Sequence, residues 1–294
     1  MKKQYILFNP LAGHGTAKKE AEILASSYES PVLCDITAID DHAAFFEQLD
    51  SDDCLVVCGG DGTISRFAQA VHHHNVKNDI FYFAVGSGND FARDIGQVSS
   101  AVPTTPINQY LTNLPTVTVK GKDYVFVNGI GYGLDGYCCE VGDKQRETSA
   151  KPVNYTTIAI KALLFHYKST NAKVTIDGET RTYKRVWIAP TMNGRYYGGG
   201  MMPTPNQDRL NNDRALSLMV FHNASNIRTL CILPSIFKGK HVKHKNIVDI
   251  MVGHDITVEF DRPVTLQIDG ETVLNVTSYH AVSAKKSAPV EETV

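Results

Sequence analysis

Three glycine-rich turns constrain this chain more than any other feature, because each lies directly behind a short apolar run and the first two lie directly ahead of a helical pattern. They are Asn9-Pro10-Leu11-Ala12-Gly13-His14-Gly15, Gly59-Gly60-Asp61-Gly62-Thr63 and Gly86-Ser87-Gly88-Asn89-Asp90. The apolar runs before them predict strands over residues 5–8, 54–58 and 81–85, with a further strand over 32–36. Helical spacing predicts helices over 17–27, 42–49, 64–72 and 107–114. Continuously apolar strands that alternate with helices imply a parallel sheet covered on both faces. In such a sheet ligands collect at the carboxyl ends of the strands, where all three turns then fall.

The second half reads differently. Strand-like runs at 117–119, 124–127, 172–176, 183–188, 216–221, 256–260 and 264–268 are punctuated by Asp177-Gly178 and Asp269-Gly270, which are hairpin signals. Helical patterns interrupt at 155–167 and 227–237. The expected fold is α/β + β: a Rossmann-like α/β domain over residues 1–122, an antiparallel β-sandwich domain over 123–280, and a polar tail over 281–294.

Charge and apolar content exclude several classes. Net charge is −2, yet residues 1–125 hold 9 Lys/Arg against 15 Asp/Glu, and the remainder 20 against 16. That balance gives no support to a nucleic-acid binder, which usually shows a strongly basic domain. No apolar run reaches the roughly 18 residues a transmembrane helix needs. The N-terminal apolar stretch ends at Asn9-Pro10, too early for a signal peptide. The six cysteines form no C-x-x-C pair, and Cys54 and Cys58 read as core thiols of a reducing compartment. The expected location is the cytoplasm. His72-His73-His74 reads as a solvated helix end, because consecutive helical positions diverge.

Glycine lets backbone N–H groups approach a phosphate, and a helix N-terminus favours negative charge. None of the turns fits the P-loop or the G-x-G-x-x-G spacing, so a polyphosphate held in a different cradle follows. Asp61 and Asp269 are the carboxylates expected to face it, Asp269 as base and Asp61 as the residue that orients phosphate or magnesium, with the exchanged assignment left open. Residues 176–180 and 268–272 share the sequence Ile-Asp-Gly-Glu-Thr, and outside any wider context each is simply a hairpin turn.

The combination Asn9-Pro10-x-Ala12-Gly13-x-Gly15, Gly59-Gly60-Asp61-Gly62-Thr63 and Gly86-x-Gly88-Asn89-Asp90-Phe91-Ala92-Arg93 resembles the diacylglycerol kinase catalytic-domain family. Gly198-Gly199-Gly200-Met201, Asp213 and Asp269-Gly270-Glu271 continue the match over roughly residues 4–280. The resemblance implies an ATP-dependent lipid kinase that transfers a phosphoryl group to a lipid hydroxyl, diacylglycerol above all, with ATP between the two domains. It implies ATP contacts at Asn9, Pro10, Leu11, Ala12, Gly13, Thr37, Gly59, Gly60, Asp61, Gly62, Thr63, Ile64, Ser65, Arg66 and Ser87, and the third turn adds Asn89 and Asp90. It implies Asp269 as general base, and a magnesium site of Leu210, Asp213 and Ala215. Its bacterial members imply a homodimer, peripheral to the membrane. The chain departs from the family pattern at Arg66, where glutamate is common. It departs again at residues 206–214, where Arg214 replaces a glycine.

Two other readings stay open. Gly59–Thr63 alone also fits NAD kinases, although the Asn9–Gly15 motif and the lack of a Thr-Ala-Tyr segment speak against them. Arg66 and Arg214 keep a catalytically inactive nucleotide- or lipid-binding protein in view. The run Lys238-Gly239-Lys240-His241-Val242-Lys243-His244-Lys245 is expected either to be a solvated loop or to dock on an anionic membrane, each lysine adding about 1 kcal/mol.

Overall fold

The structure, a computed structural model, describes residues 2–10, 12–86, 88–97, 102–149 and 153–284. Four strands, β1 (Gln4–Phe8), β2 (Pro31–Asp35), β3 (Cys54–Gly59) and β4 (Asp79–Ala84), form a parallel sheet in the order β2-β1-β3-β4. Helices α1 (Ala17–Ala25), α2 (His42–Glu47) and α3 (Asp61–His72) make the crossovers. The central strands β1 and β3 are almost continuously apolar because both their faces are covered. Tyr5, Leu7, Leu55 and Val57 enter one core with Phe45, Ile64 and Phe67. Ile6, Phe8, Val56 and Cys58 enter another beneath α1, which presents Ala21, Leu24 and Ala25 at helical spacing. Two short helices follow, α4 (Asp90–Asp94) and α5 (Asn108–Leu111).

The chain then builds an antiparallel sheet from β5 (Thr116–Val119), β6 (Lys122–Val125), β7 (Gly129–Tyr132), β8 (Thr170–Ile176), β9 (Glu179–Val186), β10 (Thr191–Met192), β11 (Leu216–Phe221), β12 (Val248–Gly253), β13 (Asp255–Ile268) and β14 (Glu271–Val282). Its path is β12-β11-β10-β7-β13-β14-β5-β6, and β8 joins β13 to β9. The sheet curls around one apolar core that includes Val117, Phe126, Tyr132, Leu216, Leu266 and Tyr279. A helical layer of α6 (Leu134–Thr148), α7 (Tyr155–Lys161) and α8 (Asn226–Ile232) shares a separate core with Trp187, Met219 and Phe221.

Several local expectations are corrected. The runs 256–260 and 264–268 are one strand, β13, bent where its register with β14 shifts between Glu259 and Val264. Pro263 lies at that bend and has no N–H to give to a ladder. The helical patterns at 155–167 and 227–237 each divide. The first is α7 plus a π-helical turn, Ala162–His166, and the second is α8 plus a 3-10 stretch, Leu233–Lys238. Strands β7, β10, β12 and β14, the short α4 and the 15-residue α6 lie outside the expected set. The expected division near residue 122 falls in the β5–β6 hairpin, both strands of which belong to the second sheet. Of the expected tail, Ala281 and Val282 complete β14 opposite Val117 and Thr116, and residues 285–294 lie outside those described.

Candidate active site

Because β1, β3 and β4 run parallel, the three glycine turns leave the sheet at one edge. In the first, the Ala12 amide donates to the Asn9 carbonyl at 3.0 Å, next to Pro10, and the chain continues as a 3-10 turn, Ala12–Gly15, through Gly13. Leu11 and Ser87, both expected nucleotide contacts, lie outside the described residues. The second and third turns touch each other. A Cβ on Gly86 would stand 3.3 Å from the Gly60 Cα and 3.2 Å from Asn89 Oδ1, so a side chain here would press on both neighbours. Asn89 takes a left-handed conformation, φ +50°, and its Nδ2 donates to the Gly86 carbonyl at 2.9 Å.

The remaining expected nucleotide residues separate into those that face outward and those that do not. Thr37, behind β2, is exposed and donates its amide and hydroxyl to Asp35 Oδ1 at 2.8 and 2.7 Å. Gly62 and Arg66 are exposed on α3, whereas Thr63 and Ser65 are buried. Ile64 is fully buried in the core between α3 and the sheet, so only its backbone is available to a ligand.

At this edge two carboxylates meet. Asp61 Oδ2 accepts from the Asp90 amide at 3.0 Å, and Oδ1 accepts from the Phe91 amide at 2.9 Å and from Asn128 Nδ2 at 3.3 Å. Asp61 therefore caps the start of α4 and also reaches the second domain. Asp90 is buried, and its Oδ2 accepts from the Gly199 amide at 2.7 Å. Burial, and then the neighbouring charge of Asp61, push the Asp90 carboxyl up to about 6, against the pull of the Gly199 amide and Arg93.

Asp269 sits at the tip of the β13–β14 hairpin with φ +48°, and Gly270 follows at +95°. Its carboxylate accepts from three successive amides, Val127 at 2.6 Å, Asn128 at 2.8 Å and Gly129 at 3.0 Å, and also from the Ser65 hydroxyl. Burial raises its carboxyl, and these donors pull it back down. Asp177, in the identical turn between β8 and β9, holds the His254 and Asp255 amides on Oδ1, both at 2.9 Å, on an exposed surface.

The segment 127–129 joins the two halves of the site. Asn128 donates to Asp61, while its Oδ1 accepts from Arg209 Nη2 at 3.1 Å. The Val127 carbonyl accepts from Asn193 Nδ2 at 2.9 Å and Arg209 Nη1 at 3.2 Å. Arg209 is itself paired through Nε with Asp94 Oδ2 at 2.5 Å, and Arg195 Nε meets the other oxygen at 2.9 Å. Asp61 and Asp269 thus belong to one hydrogen-bonded network. The sequence reading did not include Asn128, Asn193, Arg195, Arg209 or Asp94. Asn128 alone leaves a trace, as the single polar residue in the run 124–130.

Of the expected metal residues, Ala215 offers no free carbonyl lone pair to a magnesium ion as folded. The Ala215 carbonyl already accepts from Gln207 Nε2 at 3.0 Å and Asn211 Nδ2 at 2.9 Å, which occupies both its lone pairs. The Arg214 guanidinium donates to the Arg209 carbonyl, bringing positive charge into the same loop as Asp213. Magnesium demands nearly octahedral oxygen ligands. Among the described residues no three His, Cys, Asp or Glu side chains gather as a metal site.

Comparison with known proteins converges on one family. Residues 3–117 match the family model of the diacylglycerol kinase catalytic domain, and residues 128–285 match that of the YegS C-terminal NAD kinase beta sandwich-like domain. A Mycobacterium tuberculosis protein named diacylglycerol kinase is 26% identical over 249 residues, which cover 81% of this chain and 79% of that protein. A Bacillus subtilis protein of the same name is 24% identical over 281 residues, covering 92% and 90%. A crystal structure of a diacylglycerol kinase from Bacillus anthracis superposes with a TM-score of 0.63 at 19% identity, covering 97% of this chain and 94% of that one. It shares the fold.

Proposed function

This chain belongs to the diacylglycerol kinase catalytic-domain family, and from that premise we propose that it transfers the γ-phosphoryl group of ATP to a lipid hydroxyl, with diacylglycerol as acceptor and phosphatidic acid as product. The observation that carries this reading is the network through residues 127–129. It joins Asp61, at the edge where three glycine turns open, to Asp269 in the second domain. Phosphoryl transfer asks a protein mainly for positioning and charge neutralisation. The turns supply backbone N–H groups for the triphosphate, whose own magnesium arrives as part of the substrate. Asn9 to Gly13, Thr37, Gly59 to Arg66, Ser87, Asn89 and Asp90 form this cradle, with Ile64 contributing backbone only.

Asp269 is the general base. The acceptor oxygen attacks the γ-phosphorus, the bond to the ADP oxygen breaks, and the hydroxyl proton passes to the Asp269 carboxylate. Oδ2 is the oxygen for this, because it carries one backbone amide, that of Val127, where Oδ1 carries two, those of Asn128 and Gly129. Burial supports the role by raising the carboxyl toward a useful base strength. Asp90 is a second candidate. Its Oδ1 makes no well-formed hydrogen bond among the described residues, and its carboxyl stands at about 6. Asp61 orients the phosphate side and fixes α4.

The acceptor's acyl chains place the reaction at a membrane surface, and the enzyme would work there peripherally. Among the described residues no helix is long and apolar enough to cross a bilayer. The test is transfer of labelled phosphate from magnesium-ATP to diacylglycerol in mixed micelles, with NAD as the competing acceptor. Labelled phosphatidic acid is the expected product. Labelled NADP would establish the NAD kinase reading instead. ATP binding without transfer to either acceptor would establish a binding protein.

A further inference from the structure

The helical layer of the second domain exposes apolar side chains that a monomeric soluble surface normally hides. Phe165 is 76% exposed, Ile227 72% and Phe237 49%, and Ile160 and Leu164 are exposed with them. All five lie on α7, its π-helical extension, α8 and the 3-10 stretch behind it. These elements are neighbours. Asn226 Nδ2 donates to the Leu163 carbonyl at 2.7 Å, and Ile158, Ala162, Leu163 and Ile236 turn inward to one core. The π-helical turn accounts for the exposure of Phe165. Its wider turn sends Tyr167 inward against Trp187, with ring centres 6.2 Å apart, and leaves Phe165 outside.

Charge identifies what covers this face. Residues 153–168 and 225–247 together carry six lysines and one arginine and no aspartate or glutamate, in a chain that holds 31 acidic residues. Lys161, Lys238, Lys240, Lys243 and Lys245 are all exposed. Exposed aromatic and aliphatic side chains ringed by lysine, with no acid among them, match an anionic bilayer surface, where apolar groups enter the headgroup boundary and cations meet lipid phosphates. The face also adjoins the loop that reaches the candidate site. The Met202 amide donates to the Ile236 carbonyl at 3.1 Å and His241 Nε2 bonds the Pro203 carbonyl at 2.7 Å. Two residues before Pro203, the turn Gly198–Met201 begins its approach to Asp90 through the Gly199 amide.

We propose that this face docks on anionic membranes, with Phe165, Ile227 and Phe237 inserted and Lys238, Lys240 and Lys243 against lipid phosphates, so that the cleft opens toward the bilayer. The purpose rests on the proposed lipid acceptor, but the docking is read without catalysis. The experiment is co-sedimentation with sucrose-loaded vesicles of phosphatidylcholine alone and of phosphatidylcholine mixed with phosphatidylglycerol.

Wild type is expected to bind the mixed vesicles far more tightly, and to lose that preference at high salt. The variant Phe165→Ser/Ile227→Ser/Phe237→Ser should lose binding to the mixed vesicles about a hundredfold. The variant Lys238→Gln/Lys240→Gln/Lys243→Gln should lose about a hundredfold on mixed vesicles and little on neutral ones. Both variants should keep wild-type melting temperature and wild-type turnover of a water-soluble short-chain diacylglycerol. Unchanged vesicle binding in either variant, or no binding by wild type, overturns the proposal. So does a wild-type dimer in sedimentation equilibrium that the serine variant breaks while neither protein binds vesicles, which would assign the face to a second copy of the chain. Absence of lipid phosphorylation with vesicle binding intact would refute the acceptor and leave the docking face standing.

Discussion

Asp90 holds a charge where burial and a second carboxylate both oppose it. Its carboxyl stands at about 6 in the folded protein and in the ordinary carboxylate range when unfolded, so the folded state binds the proton more tightly. The stability this supplies is full at low pH and is lost as pH rises through 6. Asp90→Asn removes the loss. The stabilities of the two proteins should coincide below about pH 4, diverge between pH 4 and 6, and stay apart above that, with the variant more stable by about 2 kcal/mol at pH 8; a constant gap across the whole range would contradict the assignment. Arg209 presents the opposite case, a buried cation whose partner is Asp94. Asp94→Ala should cost about 3–5 kcal/mol in urea denaturation, because Arg209 is left uncompensated, and Asp94→Leu with Arg209→Leu should recover much of it. These residues were not legible in the sequence, since the pair spans more than a hundred positions and each residue alone reads as an ordinary surface charge. Asp61 and Asp269 were legible because the turns carrying them also have local signatures, glycine spacing in one and Asp-Gly in the other. The twin Asp177 shows the limit of that signal, since the same five residues form the same kind of amide cap elsewhere.

Among the elements, the strands of the first sheet and the helices between them were readable because burial on both faces leaves continuous apolar runs. Helix α6 was not. It carries glycines at 136 and 142 and buries only Leu134, Gly136, Cys138 and Gly142, so no apolar stripe marks it. The reason is contact with β13: a Cβ on Gly136 would stand 2.1 Å from the Thr265 carbonyl oxygen. Gly136→Ala should therefore destabilise by about 2–3 kcal/mol despite its better helix propensity, read as a lower denaturation midpoint; a more stable variant would show that α6 is free to shift. The loop 206–215 gives the other prediction at this scale. Gln207 and Asn211 satisfy the Ala215 carbonyl and Arg214 that of Arg209, so the loop is held by its own side chains. EDTA should leave the melting temperature of the nucleotide-free protein within about 1 °C of its value in magnesium, where loss of a structural metal would lower it by several degrees.

Across the whole molecule, two sheets of opposite kind meet at the carboxyl edge of the first. The change from alternating strands and helices to hairpins revealed both, but not where they join. The join is made by residues 127–129, whose amides, carbonyl and side chain serve Asp269, Asp61 and Arg209 together. The acid-free helical face lies beyond this join, next to the loop that carries Gly199. Such a layout lets nucleotide and lipid approach one network from different sides. The most direct measurement is phosphate transfer from labelled ATP to diacylglycerol by wild type, Asp269→Asn and Asp177→Asn. Asp177→Asn keeps the oxygen that both its amides use, Asp269→Asn keeps the one that caps Asn128 and Gly129 and gives up the one that caps Val127, and only Asp269→Asn removes the proposed base. The account predicts labelled phosphatidic acid from wild type and Asp177→Asn, and a loss of at least about a hundredfold in Asp269→Asn. Near-normal turnover by folded Asp269→Asn would contradict it.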